Sequence, residues 1–214
     1  KEKEENWQKA LSRFPMLKRV DNVKGLRQAH IVGAKMCWTK MFWIIDADAI
    51  ILDNFDFSYL PESWDEDMVH VWRCINPIND LVYGYGGVKL FPRIKTIEMD
   101  MTSPDMTTSI SSKFMLMPQV SNVTAFNTDP YNTWKSAFRE CTKLSSKIID
   151  NQKNKETEER LDIWCTIGIK KPHGKYAIAG ANAGREYGYK NRGNIEALNK
   201  INDFNWIKKQ YDRL

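Results

Sequence analysis

The sequence is poor in the residues from which most metal and redox centres are built. Its 214 residues include three histidines and four cysteines. Cys37, Cys74, Cys141 and Cys165 lie far apart, each in apolar surroundings, and none forms a C-x-x-C pair. That spacing excludes zinc-ribbon and thioredoxin-like motifs and reads as reduced core thiols of a cytosolic protein. Long hydrophobic runs are also lacking, so no segment predicts a membrane span. There is no internal repeat and no low-complexity tract. No secretory leader is read, which makes the sequon Asn122-Val123-Thr124 a chance match. A large charge excess is missing too. Lys and Arg number 32 against 27 Asp and Glu, a net charge of +5, which permits a polyanionic partner without demanding one. What remains is an ordinary globular balance of 42% hydrophobic and 28% charged residues, enough to bury a sizeable core.

The chain is organised around MFWIIDADAIILD, residues 41–53. An aromatic and β-branched run, Met41 to Ile45, reads as a buried strand that stops abruptly at Asp46-Ala47-Asp48. Residues i and i+2 of a strand share a face, so both carboxylates project from its carboxyl end. Side by side they repel unless a positive charge sits between them. A divalent cation held by hard oxygen ligands, Mg2+ or Mn2+, meets that need, and ligands of open α/β sheets bind outside the carboxyl ends of strands. The bland alternative is a polar turn between two strands.

Other stretches are read around this one. Glu5–Phe14 is a helix stopped by Pro15, Leu17–Val20 a short strand, and Gly25–Lys40 a helix with Leu26, Ala29, Gly33 and Met36 inward. Asp53–Asp67 is a loop. Met68–Arg73 is a strand with Val69 and Val71 on one face and His70 and Trp72 on the other. Residues 83–87, YGYGG, form a turn before the strand Val88–Phe91. Thr96–Gln119 reads as an irregular flap and Asn122–Phe126 as a short strand. Asp129-Pro130 opens the best-marked helix, with Trp134, Phe138, Cys141, Leu144 and Ile148 buried. Asn151–Arg160 is a solvated connection, Leu161–Ile167 is helical, and Pro172-His173-Gly174 is a turn. Tyr176–Tyr187 is a small-residue helix or a loop. Asp203 caps a last helix with Phe204, Ile207, Tyr211 and Leu214 inward. The helix–strand alternation around Asp46 predicts an α/β fold.

Several side chains carry candidate chemistry beside a plainer role. Gly86-Gly87 allows close approach of a ligand, or merely a bulge. Lys24 and Arg27, at a helix start, can meet phosphates, or are solvated charges. Asp129 is a helix cap, or a carboxylate facing a cleft. His173 sits in a polar turn, as a surface residue or a ligand. His30 reads as a satisfied core histidine.

In their order, IIDADAII, YGYGGVKLF, NTDPYNTW and PHGKYA resemble the GT-A class of glycosyltransferases. With Trp43–Asp48, Val69–Trp72 and Thr128–Glu140 they are similar, more narrowly, to bacteriophage-type glycosyltransferases related to the base-J-associated DNA glucosyltransferase family. The resemblance covers roughly Trp7 to Gly188. It implies one GT-A-like (Rossmann-like) α/β domain over residues 1–214, with a mostly parallel central sheet flanked by helices and a helical extension from about residue 190. It implies a nucleotide-diphosphate sugar donor, a UDP-sugar first, held by Lys24, Arg27, Asp46, Gly86 and Gly87. Mn2+ or Mg2+ would sit on Asp46, Asp48 and His173, and Asp129 would be the base; should Asp129 be only a cap, Glu140 or Asp105 is the next candidate. The implied acceptor is a hydroxymethylated pyrimidine such as 5-hydroxymethylcytosine in DNA, with Trp72, Tyr83 and Tyr85 stacking on the extruded base, in the cytoplasm of a phage-infected cell. The class also implies a nucleotide-contacting strand ahead of Glu5, which this sequence does not hold. A saccharide or protein acceptor is the alternative within enzymes. A catalytically inactive nucleic-acid-binding module on the same fold is the alternative outside them.

Overall fold

The computed structural model describes residues 2–148 and 154–214. The chain divides into two compact units. The first takes in Lys1–Ile75, Val82–Thr102 and Met106–Ala125; the second takes in Asn76–Leu81, Ser103–Asp105 and Phe126–Leu214.

The first unit is a six-stranded sheet with helices packed on it. Its strands are β1 (Met41–Ile45), β2 (Ala49–Ile51), β3 (Val69–Ile75), β4 (Val82–Tyr83), β5 (Val88–Pro92) and β6 (Phe114–Thr124). They run in the order β1-β5-β3-β6-β2, with β4 also on β3. The α/β class is as expected, but the mostly parallel sheet is not. Only β3 and β6 pair parallel; the other four pairings are antiparallel. Parallel neighbours need a long crossover, usually a helix, whereas antiparallel ones accept short links. From β1 to β5 no helix intervenes, and the helix–strand alternation read from the sequence holds only ahead of β1.

Strand alternation sorts the core. Phe42, Val69 and Phe91 face α2 (Leu26–Lys35), packing on Ala34 with Met99, Met106 and Ile110. Trp72, Val88 and Leu90 face the other way with Phe55, Ala49 and Ile51, and Trp43 packs against them. Helix α1 (Glu2–Arg13) lies on this second face, where Phe14 meets Phe57 edge to face.

Four stretches of this unit depart from expectation. Leu17–Val20 is not a strand, because among the described residues no strand lies beside it to complete a ladder. Helix α2 ends at Lys35 rather than Lys40, and Leu26 is 43% exposed instead of inward. The segment expected as an irregular flap holds the last two residues of α3 (Arg93–Ile97), all of α4 (Met106–Ile110) and the first half of β6. Trp72, expected on the acceptor, is wholly buried, and Tyr83 is buried and stacked on Tyr85 at 4.7 Å. Neither ring can take up a base without opening the core.

The second unit is helical: α5 (Pro130–Ser146), α6 (Asn154–Thr166), α7 (Gly174–Lys190), α8 (Ile195–Asn199), a 3-10 turn (Lys200–Asn202) and α9 (Phe204–Tyr211). Trp134, Phe138, Ile201 and Ile207 form its aromatic-rich core. The solvated connection expected over Asn151–Arg160 is helical from Asn154, and residues 151–153 lie outside the described residues. Phe204 and Leu214, expected inward, are largely exposed, while Ile207 is buried. Asp203 caps α9 as expected, accepting from the N–H groups of Asn205 and Trp206.

Helices α5 and α7 pack through glycine. A Cβ on Gly180 or Gly184 would overlap the carbonyl oxygen of Trp134 or Phe138 respectively. Alanine is favoured over glycine in a helix by about 1 kcal/mol, but overpacking costs about 1–3 kcal/mol. The struck atom is backbone, so the upper end applies. Gly184→Ala is expected to lower stability by about 1–2 kcal/mol net. Gly33 in α2 is the opposite case, since its Cβ would meet only Val20 and Ile44 methyls at 3.6 and 3.8 Å. Gly33→Ala should therefore raise stability by about 0.5–1 kcal/mol. Urea unfolding midpoints that move in the same direction for both variants would refute this account.

Candidate functional site

Asp46 is the first residue beyond β1. Its Oδ2 accepts a hydrogen bond from the Gly87 N–H at 3.0 Å and pairs with the Lys89 ammonium at 3.0 Å. Lys89 sits on β5, where Val88, Leu90 and Phe91 around it are apolar and buried. It points to the α2 face beside the end of β1 and is itself only 7% exposed. Burial opposes ionisation of Asp46, but Lys89, the Gly87 N–H and His30 outweigh it and hold the carboxyl below its ordinary range. Burial likewise works against the Lys89 charge, and Asp46 overcomes it, with Asp48 adding a smaller share. The positive charge required by the two carboxylates is therefore built in at Lys89. Sequence reasoning missed this residue. Its signal was a single lysine inside an otherwise apolar strand.

Asp48 lies two residues on, in the turn between β1 and β2. The Ala49 N–H bonds back to the Asp46 carbonyl, and the Asp48 carbonyl accepts from Ala125 N–H. Asp46 and Asp48 thus leave one strand end on a fixed turn. Gly86 and Gly87 are brought to the same place: a Cβ on Gly86 would come 3.9 Å from Asp46 Oδ2. Gly87 has φ +99°, and a Cβ there would overlap the buried Asn122 side chain. Glycine at 87 is thereby explained by backbone conformation and packing, and its N–H is free to serve the carboxylate.

His30 was expected to be a satisfied core histidine and is only half satisfied. Its Nδ1 lies 2.7 Å from the Leu26 carbonyl, while the buried Nε2 has no hydrogen-bond partner. Burial, the largest influence, lowers its pKa and keeps the ring neutral at physiological pH. Nδ1 therefore carries the proton and Nε2 is a bare acceptor, in a ring close enough to feel Asp46. Lys24 is exposed and Arg27 half-buried at the start of α2, which begins on Gly25 without a side-chain cap.

Asp129 and His173 belong to the second unit. Asp129 is the N-cap of α5: Oδ1 accepts from the Asn132 N–H at 2.8 Å, and Oδ2 accepts from the Asn132 amide and from Thr128 Oγ1. Burial pushes its pKa up, yet these hydrogen bonds prevail and hold it low. His173 precedes α7 in the left-handed conformation, φ 59°, and its ring lies 6.4 Å from Tyr176.

Hard carboxylate oxygens suit Mg2+ or Mn2+. Asp46 Oδ2 is committed to Lys89 and Gly87. Among the described residues no group of three or more His, Cys, Asp and Glu side chains is gathered to hold a metal, and no helix is long and apolar enough to cross a membrane. No protein-family model matches the chain, and neither a curated protein nor a solved structure is found to be similar to it.

Proposed function

We propose that the chain is a nucleotide-sugar-dependent glycosyltransferase. The observation that carries this reading is the turn after β1. One carboxylate, Asp46, is locked in place by the Gly87 N–H and the Lys89 ammonium, and a second, Asp48, follows two residues later. A strand end with fixed charge beside a glycine turn suits a polar ligand that must approach the backbone closely. The uncapped start of α2, with Lys24 and Arg27, adds N–H groups and positive charge that favour phosphate.

In this reading Asp48, with help from Asp46, would hold Mn2+ or Mg2+. The metal would supply charge neutralisation for the departing nucleoside diphosphate. Lys89 keeps Asp46 ionised and oriented. Gly86 and Gly87 admit the donor, a UDP-sugar first, and Asp129 would receive the proton from the acceptor hydroxyl. The net charge of +5 favours DNA carrying a hydroxymethylated pyrimidine as acceptor, in the cytoplasm of a phage-infected cell.

The test is mass spectrometry of hydroxymethylated DNA incubated with the protein, Mn2+ and a panel of nucleotide sugars. A mass increase of one sugar is expected with at least one donor. Metal-dependent donor hydrolysis without DNA labelling would move the acceptor to a saccharide or protein. DNA binding with no turnover of any donor would leave a binding module and overturn the enzyme.

A narrower prediction concerns the metal. Asp48→Ala should abolish Mn2+-dependent UDP binding in titration calorimetry while leaving the melting temperature near that of the unaltered protein. Unchanged affinity would remove Asp48 from the metal.

A further inference from the structure

β1 ends the sheet, and one of its edges has no strand beside it among the described residues. The Asp46 N–H bonds to the Gly87 carbonyl and the Arg93 N–H to the Lys40 carbonyl, each at 2.8 Å. Bonding positions alternate along an antiparallel pair, so Phe42 and Ile44 turn their backbone groups to β5. Trp43 and Ile45 turn theirs away from it. Natural edge strands are blunted by charge, proline or a covering segment, and Met41–Ile45 has neither charge nor proline.

Beside this open edge lies a cavity of about 720 Å³. Helix α1 closes it on the Trp43 face with Trp7 and Ala10, followed by Phe14, and α2 closes it on the Phe42 face with Ala29 and Gly33. Its far wall is the segment 17–20, whose Leu17 and Val20 reach into the lining. The backbone groups of Lys18, Arg19 and Val20 make no backbone–backbone hydrogen bond among the described residues. The cavity is thus a gap in the sheet layer: helices above and below, unpaired backbone on both sides. It also explains why a segment with the sequence of a strand fails to be one.

We propose that this cavity is the seat of an added β-strand, an extended and uncharged polypeptide segment that pairs with the Trp43–Ile45 edge on one side and residues 17–20 on the other. An open strand edge is a template for pairing with a further strand, and a single inserted strand supplies partners to two rows of backbone groups at once. A strand covered by helices on both faces carries apolar side chains on both, which fixes the occupant as rich in Val and Ile. The two carboxylates in its lining, Asp21 and Asp46, are already paired with Arg19 and Lys89, so the site asks for no charge. Main-chain pairing gives such sites their affinity and the flanking pockets their selectivity. The proposal does not draw on the glycosyl-transfer reading. Because the occupant would pair up to the residue before Asp46, it would also stiffen the strand end from which Asp46 and Asp48 leave.

The test is amide hydrogen exchange by NMR on the whole chain. The probe is the end-capped peptide Lys-Thr-Val-Ile-Val-Ile-Thr-Lys, and the control is the same peptide N-methylated at alternate residues so that it cannot complete a ladder. At a peptide concentration about a hundredfold above its Kd, exchange at Trp43, Ile45 and residues 18–20 should slow by ~10²-fold. The N-methylated peptide should leave it unchanged. No slowing with the plain peptide overturns the proposal. Equal slowing with both peptides overturns it in favour of a cavity that takes any apolar body. Protection in the free protein that rises with its own concentration overturns it in favour of a second copy on the β1 edge.

Discussion

Lys89→Met is expected to lower the stability of the protein by about 3 kcal/mol. Methionine keeps most of the side-chain volume, so the loss is electrostatic. Removing one partner of a buried ion pair strands the other and costs about 3–5 kcal/mol. The lower end applies because Asp46 keeps a third of its side chain exposed. The Gly87 N–H alone would then face the carboxylate. The pH dependence has a definite sign. Asp46 has its carboxyl lowered from 3.8 in the folded state, so its contribution is present above that value and is lost as pH falls through the folded one. Lys89 is raised from 10.5, so its contribution is complete below 10.5 and is lost as pH rises through the folded value. The difference between the two proteins should thus be full near neutrality and shrink in acid, where the stranded Asp46 of the variant takes up a proton. Adding Asp46→Asn should recover part of the loss, since removing both charges costs less than removing one. Denaturant midpoints at several pH values measure all of this. A Lys89→Met protein as stable as the parent at pH 7 would show that the pair is spectator charge.

Asp129→Asn separates a cap from a base. Asparagine also accepts from the Asn132 N–H and caps as well as aspartate. The lost helix-dipole interaction is worth only ~0.3–1 kcal/mol, so melting should change little. General-base catalysis contributes ~10²–10⁴-fold, and the sugar-transfer rate should fall by at least ~10². The hydrogen bonds that hold Asp129 low keep it ionised throughout the neutral range, so its titration should leave no step in the rate between pH 6 and 8. They also make it a weak base, and near-normal transfer by the variant would reduce Asp129 to its cap. Glu140 would then be examined before Asp105. Asp105 is 2% exposed and bound to Lys143 at 2.7 Å, which commits its carboxylate.

Features that depend on neighbours in sequence were legible. The apolar run broken by Asp46 predicted β1 and its carboxylates, Asp129-Pro130 predicted the start of α5, and Asp203 predicted α9. The resemblance put the Gly-Gly turn and Asp46 on the same donor, and the Gly87 N–H meets the Asp46 carboxylate. Features that depend on distant partners were not legible. Lys89 takes its meaning from a carboxylate 43 residues earlier. Residues 17–20 have the side chains of a strand but no ladder to join. The first half of β6 lies in a stretch rich in Ser, Thr and Met, and it contains Pro118, which ordinarily argues against a strand interior. The β3 register jumps from Met117 to Val120, so Pro118 sits in a bulge, where its missing donor costs nothing. The polar start of α6 was read as solvated. It is steadied by the ion pair of Glu156 with Arg160 and by those of Glu158 and Asp162 with Arg185, and Arg185 lies on α7, beyond any local reading.

The glycine seam between α5 and α7 bears on how this sequence can change over generations. A damaging substitution is often repaired by a second one that trims the side chain it strikes. At Gly180 and Gly184 the atoms struck are main-chain oxygens and carbons of Trp134 and Phe138, which every amino acid possesses. No replacement on α5 can make that room, so a screen for intragenic suppressors of Gly184→Ala should return revertants and general stabilisers, and nothing at Trp134 or Phe138.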